Sequence, residues 1–135
     1  MKSAAGEIQT ALFTALNLVA NGLTFTWYAD DAVQGLNLPY GIIGEISYVK
    51  DEAQGVSGGD HTFTLHHYAS KGSDVRASMK QVETLLDNGT LVLTGGNSAW
   101  WVKFTGAATV IREDAPDYRY SHGIQRFRIR TVDTS

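Results

Sequence analysis

The chain has 135 residues, a formal net charge of −3 and no cysteine. Apolar residues make up 43% and charged residues 19%, which is typical of a globular chain that forms one domain with a modest core. The acidic balance argues against sequence-independent DNA binding, because such binding needs a basic surface. The lack of cysteine excludes disulfides and thiolate metal sites and fits a cytoplasmic origin. We therefore expect a single domain over residues 1–135.

The first predicted element is a helix over about residues 4–20, ended by Asn21 and Gly22. Its apolar residues recur at three- and four-residue steps and line one face: Ile8, Leu12, Ala15, Leu16 and Val19. Asn17 and Asn21 interrupt the apolar run, and no cleavage site follows a basic head. We therefore expect neither a signal peptide nor a membrane span.

Two strands are predicted next, a short one over residues 24–28 and a longer one over about residues 40–50. Between them, residues 30–38 read as a loop closed by Pro39. Residues of one parity in the longer strand are apolar or aromatic, namely Tyr40, Ile42, Ile46 and Tyr48. The polar, glycine-rich residues 51–60 predict a flexible hairpin loop.

The most informative stretch is a strand that leads into an amphipathic helix. The strand starts at His61, and its alternation points Phe63 and Leu65 inward and Thr62, Thr64 and His66 outward. The helix is predicted over about residues 73–87, because its apolar residues recur at helical spacing: Val75, Met79, Val82 and Leu86.

The C-terminal part predicts three strands. Residues 91–94 form a short one, and a long one follows with its inward positions at Trp100, Val102, Phe104, Ala108 and Val110. Residues 112–120 read as an acidic connection, and the last strand covers about residues 120–132. We therefore predict an α+β fold, with an antiparallel β-sheet and two α-helices packed on one of its faces.

Candidate catalytic motifs have the wrong context. Ser57 lies in a G-x-S-x-G pattern, but a strand precedes and follows it, whereas a nucleophile elbow needs a turn from strand into helix. The acidic pairs in loops lack a predicted cleft: Asp30 with Asp31, and Asp114 with Asp117. Residues 95–97 open no helix, so they form no phosphate cradle.

The histidines also argue against a metal site. His66 and His67 are adjacent and point to opposite faces of a strand. His61 and His67 share a face but lie about 20 Å apart along it, whereas zinc ligands lie about 2 Å from one ion. Only a distant partner such as His122 would complete a site, so we expect surface or interface histidines.

Trp101 has the parity of Lys103, which places it on the outer face of the sheet. Exposed tryptophans often mark binding surfaces, although this one also has the alternative of packing under a loop of its own chain. Three arginines share one face of the last strand: Arg126, Arg128 and Arg130. They repel one another unless acids lie opposite, so they pair either within the chain or with a neighbouring subunit. Nucleic-acid contact is a weaker third option.

Three segments resemble the tail terminator (tail completion) proteins of long-tailed bacteriophages. They are residues 38–43, which open a strand; the strand 61–68 that leads into the amphipathic helix; and residues 120–129, which include the His122-Gly123 pair. The resemblance extends from about Ile8 to Val132.

The resemblance implies a structural virion protein at the head–tail junction, made in the host cytoplasm, with no enzymatic activity, cofactor or membrane contact. It would form a homohexameric ring on the tail tube protein, stop tube polymerisation and join the tail to the head connector. Genomic DNA would pass through the ring without specific binding. The interaction residues expected on this view are Trp101, Arg126, Arg128, Arg130, Tyr118, Arg119, Tyr120 and His66.

Two alternatives stay open at this point. A head-completion (stopper) protein or a minor tail ring protein fits the same pattern. A small ligand-binding or enzymatic α+β domain is more remote, and it would use His61, His67 or Asp60 in a deep pocket.

Overall fold

The structure is a computed structural model that describes residues 5–18, 23–29, 38–51, 58–87, 97–115 and 118–133. Two helices and five strands follow in the order α1 (Ala5–Leu16), β1 (Thr26–Ala29), β2 (Tyr40–Asp51), β3 (Gly58–Ala69), α2 (Gly72–Leu86), β4 (Asn97–Ala115) and β5 (Tyr118–Asp133). The predicted α+β class is confirmed.

The strands form one sheet with the order β1-β2-β3-β5-β4. β2, β3, β5 and β4 pair antiparallel with their neighbours, as predicted, whereas β1 pairs parallel with β2. The expectation of a wholly antiparallel sheet is therefore wrong at β1. Residues 30–39 separate β1 from β2, and this stretch is longer than a tight hairpin turn, so the chain can re-enter the sheet in the same direction.

Both helices pack on one face of the sheet, as predicted. α1 contacts β1 and β2, while α2 contacts β3, β4 and β5. We call this side the inner face and the opposite side the outer face. One buried cluster joins the helices to the sheet, and its members include Ile8, Leu12, Leu16, Trp27, Ile43, Phe63, Leu65, Val75, Val82, Phe127 and Ile129. Burial of these side chains provides the main driving force for the fold.

Helix α1 ends at Leu16, before the predicted end near residue 20. The next residue, Asn17, turns its side chain to the edge of β1. Its Nδ2 donates to the carbonyl of Trp27 at 2.9 Å, and the Trp27 N–H donates to its Oδ1 at 2.9 Å. The amide of Asn17 thus occupies the place of a neighbouring strand, and it satisfies two backbone groups at the edge of the sheet.

A β-bulge in β2 changes the predicted faces of that strand. The register shifts between Ile43 and Ile46, where β2 carries one more residue than β3. Ile42 therefore lies opposite His66 on the outer face, whereas Ile46 lies opposite Phe63 on the inner face. The assumption of a single parity from residue 40 to residue 48 is wrong, because an extra residue inverts the alternation.

The C-terminal strands are longer than predicted. β4 extends to Ala115 and β5 begins at Tyr118, so the predicted connection over residues 112–120 is mostly strand. The acidic residues of this segment suggested a loop, but the backbone pairing of these strands does not require an apolar pattern. Residues 116 and 117 lie outside the described part of the chain.

The predicted loop over residues 51–60 is also shorter. Asp51 belongs to β2, and β3 already begins at Gly58. Residues 52–57 lie outside the described residues, as does the predicted short strand over residues 91–94.

Candidate functional site

A row of aromatic rings crosses the outer face of the sheet. It consists of Tyr28, Tyr40, Tyr68 and His122, and we call it the aromatic row. Tyr40 and Tyr68 stack with their centroids 5.0 Å apart, and Tyr68 stacks on His122 at 4.3 Å with an angle of 14° between the planes. Tyr28 meets Tyr40 edge-on at 6.5 Å. The four rings come from four different strands and form a continuous surface.

Strand register builds this row. Tyr40 lies directly opposite Tyr68 in the β2–β3 pair, and Tyr68 lies directly opposite His122 in the β3–β5 pair. Residues directly opposite each other in an antiparallel pair have their Cβ atoms about 5 Å apart, which is the spacing of stacked rings. All four side chains are half-buried, since both helices lie on the inner face. The row is therefore a partly exposed feature of the outer face.

His66 flanks the aromatic row. Its Nδ1 lies 2.8 Å from Nε2 of His122, and its Nε2 lies 3.6 Å from a carboxylate oxygen of Glu45. Burial lowers the pKa of His66, the neighbouring His122 lowers it further, and Glu45 opposes both effects. A backbone hydrogen bond, together with His66 and Arg126, lowers the pKa of Glu45. This end of the row therefore presents a neutral His66 imidazole beside an ionised carboxylate at neutral pH.

The three arginines of β5 lie on the same outer face, and Asp60 pairs with two of them. Arg128 donates through Nη2 to Asp60 at 2.8 Å, and Nη1 of Arg130 lies 3.9 Å from the same carboxylate. The side chain of Arg130 is only 8% exposed, against 51% for Arg128. Pairing within the chain is thus confirmed for these two residues. Arg126 is exposed beside Glu45 and His66.

The other two histidines do not lie at the surface, contrary to expectation. His61 and His67 are fully buried on the inner face. Burial lowers the pKa of both, and the pKa of His67 falls to about 4. The alternation pattern gives both the inward parity of Phe63 and Leu65, and only their polar rings suggested a surface or interface position.

His67 is the centre of a buried hydrogen-bond network. Gln125 donates through Nε2 to the carbonyl of Met79 at 2.8 Å, so its Oε1 accepts from Nε2–H of His67 at 2.9 Å. Nδ1 of His67 must then accept from the hydroxyl of Ser78 at 2.8 Å. The edge of the ring meets Trp27 at a centroid distance of 4.8 Å. Both nitrogens of the His67 ring are satisfied, and one tautomer is selected.

This network has the connectivity of a serine–histidine pair, but it is not placed for catalysis. Ser78 is 2% exposed, so no substrate reaches its hydroxyl. The third partner, Gln125, is a neutral amide that cannot stabilise an imidazolium as a carboxylate does. The network ties α2 to β3 and β5, and its role is structural.

Two glycines make room for this histidine. Gly41 and Gly123 flank His67 in the neighbouring strands. A methyl group on Gly41 would overlap the indole of Trp27, and one on Gly123 would overlap Val75. The absence of side chains at these positions lets Trp27 and α2 approach the sheet closely.

The remaining predicted interaction residues belong to β4 and β5. Tyr120 is 6.0 Å from Tyr68 between ring centroids, so it lies beside the aromatic row. Trp101 is paired with Arg130 in the β4–β5 register. The side chains of Trp101, Tyr118 and Arg119 lie outside the described residues, and their interaction roles stay predictions.

Sequence reasoning missed Tyr28, Tyr40 and Tyr68 as surface residues. Tyr68 has the parity of the outward residue His66, and this signal would have identified it. The pattern in β2 places Tyr40 on a face shared with Ile46, but the bulge separates the two.

An open groove of about 490 Å³ lies between the end of α1 and β1. Phe13, Leu18, Leu23 and Phe25 are among its lining residues, and no described lining residue is a histidine or a carboxylate. Within the described residues, no group of three or more histidine, aspartate or glutamate side chains is arranged to hold a metal ion. No described helix has the length and apolarity needed to cross a membrane.

Comparisons with known proteins identify the family. A model described as tail completion protein gp17 matches residues 7–132. A chain in the solved structure of the virion of a native gene transfer agent particle has the same fold, with a TM-score of 0.77 and 21% sequence identity. The match covers 98% of this chain and 99% of that chain. No curated protein sequence matches the chain significantly. The chain therefore belongs to the gp17 family of tail completion proteins and is a structural protein of a bacteriophage-type virion tail.

Proposed function

We propose that this tail completion protein is a tail terminator. Six copies form a ring on the last ring of the tail tube, stop the addition of further tube subunits and present the surface to which the head connector binds. The observation that carries this proposal is the match to the tail completion family over residues 7–132, which is nearly the whole chain.

The surface chemistry supports an assembly role. The aromatic row is half-exposed, and tyrosines are enriched at the centres of protein interfaces because they bury much area at a small entropic cost. A closed ring needs two different complementary surfaces on each subunit. The outer face with its aromatic row, and the helix side with the exposed apolar residues Phe13 and Leu18, are two such surfaces.

The net charge of −3 suits a ring through which DNA passes. A lumen with acidic residues repels the phosphate backbone, so DNA would move through without being held. Replacing lumen acids with lysine should slow DNA passage, and unchanged ejection would refute this part of the proposal.

Particles that lack this protein test the proposed function. A terminator predicts tubes longer than normal by electron microscopy, because nothing stops polymerisation. A head-completion or stopper protein predicts filled heads beside separate tails of normal length. Complementation with the wild-type chain should restore tails of uniform length joined to heads.

The ligand-binding alternative has less support. His67 is buried in a satisfied network, and the described lining of the open groove carries no histidine or carboxylate that would act on a substrate. Native mass spectrometry separates the two classes: a hexamer, or assembly that occurs only on tube ends, favours the ring, whereas a compact dimer with a bound small molecule favours the alternative.

A further inference from the structure

The aromatic row presents ring edges and hydroxyl groups rather than ring faces. Tyr68 has Tyr40 on one side at 5.0 Å and His122 on the other at 4.3 Å, and both pairs are nearly parallel. A platform for nucleic-acid bases needs free ring faces for stacking. The faces of Tyr40, Tyr68 and His122 stack on one another, so these three rings offer apolar edges and hydrogen-bonding groups. Those are the features of a surface that binds protein.

The described side chains of the outer face carry an excess of positive charge. Its described ionised side chains are Arg126, Arg128, Arg130, Glu45 and Asp60. Among these described side chains, three arginines against two carboxylates leave one positive charge in excess. Arg126 is exposed at the edge of the row. An acidic protein surface therefore complements this face.

The outward side of α1 has the complementary character. Glu7 is the one ionisable residue of Ala5–Leu16. Phe13 is 45% exposed, and Leu18, just beyond the helix, is 58% exposed. α1 packs on the inner face of the sheet, so this apolar and acidic surface and the aromatic row lie on opposite sides of the molecule. Two different complementary surfaces on opposite sides allow head-to-tail association that closes into a ring.

We propose that the aromatic row of one copy binds the outward side of α1 of the next copy, with Arg126 facing Glu7 across the interface. This inference rests on the proposed ring. The inference goes beyond the proposed ring because it names the two surfaces and the residues that join them.

Charge reversal is the first test, with ring formation on tube ends or in concentrated solution measured by native mass spectrometry and electron microscopy. Arg126→Glu and Glu7→Lys should each weaken self-association about tenfold, since a charge-pair loss of about 1.4 kcal/mol corresponds to that factor. The double variant that carries both Arg126→Glu and Glu7→Lys should restore self-association. Asp74→Lys, at an exposed position of α2, is the matched control and should have no effect. Single variants that assemble normally would overturn the inference.

Disulfide trapping is the second test, and the absence of native cysteine makes it clean. A chain with Glu7→Cys and Arg126→Cys should give a ladder of covalent multimers under mild oxidation. The pair Ala77→Cys and Arg126→Cys, which uses an exposed residue of α2, should not. A ladder only from the control pair would overturn the inference.

The failures of the two proposals are distinguishable. Rings that form as readily in both single charge variants as in the wild type, with no ladder from the chain that carries Glu7→Cys and Arg126→Cys, refute the named surfaces but leave the ring intact. A wild-type chain that never forms rings, even on tube ends, refutes the proposed function and this inference together. Binding of a single-stranded oligonucleotide that is lost in Tyr68→Ala would instead assign the row to nucleic acid and overturn the inference.

Discussion

Nε2 of His67 lies 2.9 Å from Oε1 of Gln125, and this single contact determines which ring nitrogen of the buried histidine carries the proton. Gln125 is oriented by its own bond to the carbonyl of Met79. Nδ1 of His67 is therefore a lone-pair acceptor that the hydroxyl of Ser78 satisfies at 2.8 Å. Helix α2 and strands β3 and β5 are joined by a polar chain within an apolar core, where an unsatisfied group is costly.

Ser78→Ala should destabilise the protein by about 1–3 kcal/mol, because it leaves a buried acceptor without a donor. Alanine has the higher helix propensity, so a loss of stability would not be a helix effect. Chemical denaturation, monitored by circular dichroism, measures this change in the free energy of unfolding. Ala77→Ser, at the exposed neighbouring position, is the matched control and should change stability by less than about 0.5 kcal/mol. Equal effects of the two substitutions would contradict the role of the network.

The stability of the protein should fall as the pH is lowered from about 6.5 to about 4. The pKa of His67 in the folded state is about 4 because burial disfavours the charged ring, although the bond to Gln125 partly opposes this. The unfolded chain, with a pKa near 6.5, thus binds a proton in this window that the folded protein does not. Protonation favours unfolding, and the loss should reach about 3 kcal/mol at pH 4.

The free energy of unfolding, measured by denaturant titration between about pH 7.5 and about pH 4, checks this sign and size. His67→Gln should have a flatter pH profile than the wild type, even though its absolute stability is lower. His61 and His66 contribute in the same direction, since burial lowers their pKa values too. A wild-type profile that rises toward the acidic end would contradict the neutral state of the buried histidine.

Gly123→Ala should destabilise the protein by about 1–3 kcal/mol or more, because the added methyl group enters a filled core. It would overlap Val75 and lie 2.7 Å from the sulfur of Met79. Gly6→Ala provides the contrast: nothing lies within 4 Å of its added methyl group, on the exposed side of α1. It should stabilise the helix by up to about 1 kcal/mol. Thermal unfolding midpoints that shift in the same direction for both variants would be inconsistent with this packing.

Asn17→Ala should destabilise the edge of the sheet by about 1–3 kcal/mol, since two backbone groups of Trp27 lose their partner. The freed edge should also raise the tendency to aggregate. Light scattering at increasing concentration and denaturant titration measure these two effects. Thr14→Ala, at an exposed position of α1, is the control and should lower neither stability nor solubility. An Asn17→Ala protein with wild-type solubility and stability would refute the role of the amide as a strand substitute.

The sequence patterns predict the elements of the fold well where they are periodic. α2 and β3 agree with prediction to within a few residues, because Val75, Met79 and Val82 follow the helical repeat and Phe63 and Leu65 follow the strand repeat. The parallel pairing of β1 was not predictable, since pairing direction depends on contacts that no local pattern encodes. The bulge near Glu45 was also missed. One extra residue does not alter the apolar and polar composition from which a strand is recognised.

The candidate site was predictable only in part. The sequence predicts that His66 and Tyr120 mediate interactions, and both lie beside the aromatic row. The row itself depends on the register between strands that are far apart in sequence, such as Tyr40 with Tyr68 and Tyr68 with His122. Register is fixed by tertiary packing and is not visible in any one strand. The burial of His67 agrees with its inward parity, which it shares with Phe63 and Leu65, but the surface position expected for a polar ring is wrong.

Cryo-electron microscopy of the purified virion tests the proposed function most directly, through the position and symmetry of this chain. The account predicts a six-fold ring of this protein at the head-proximal end of the tail tube, between the last tube ring and the connector. Density for the chain at any other site, or in a form without ring symmetry, would contradict it.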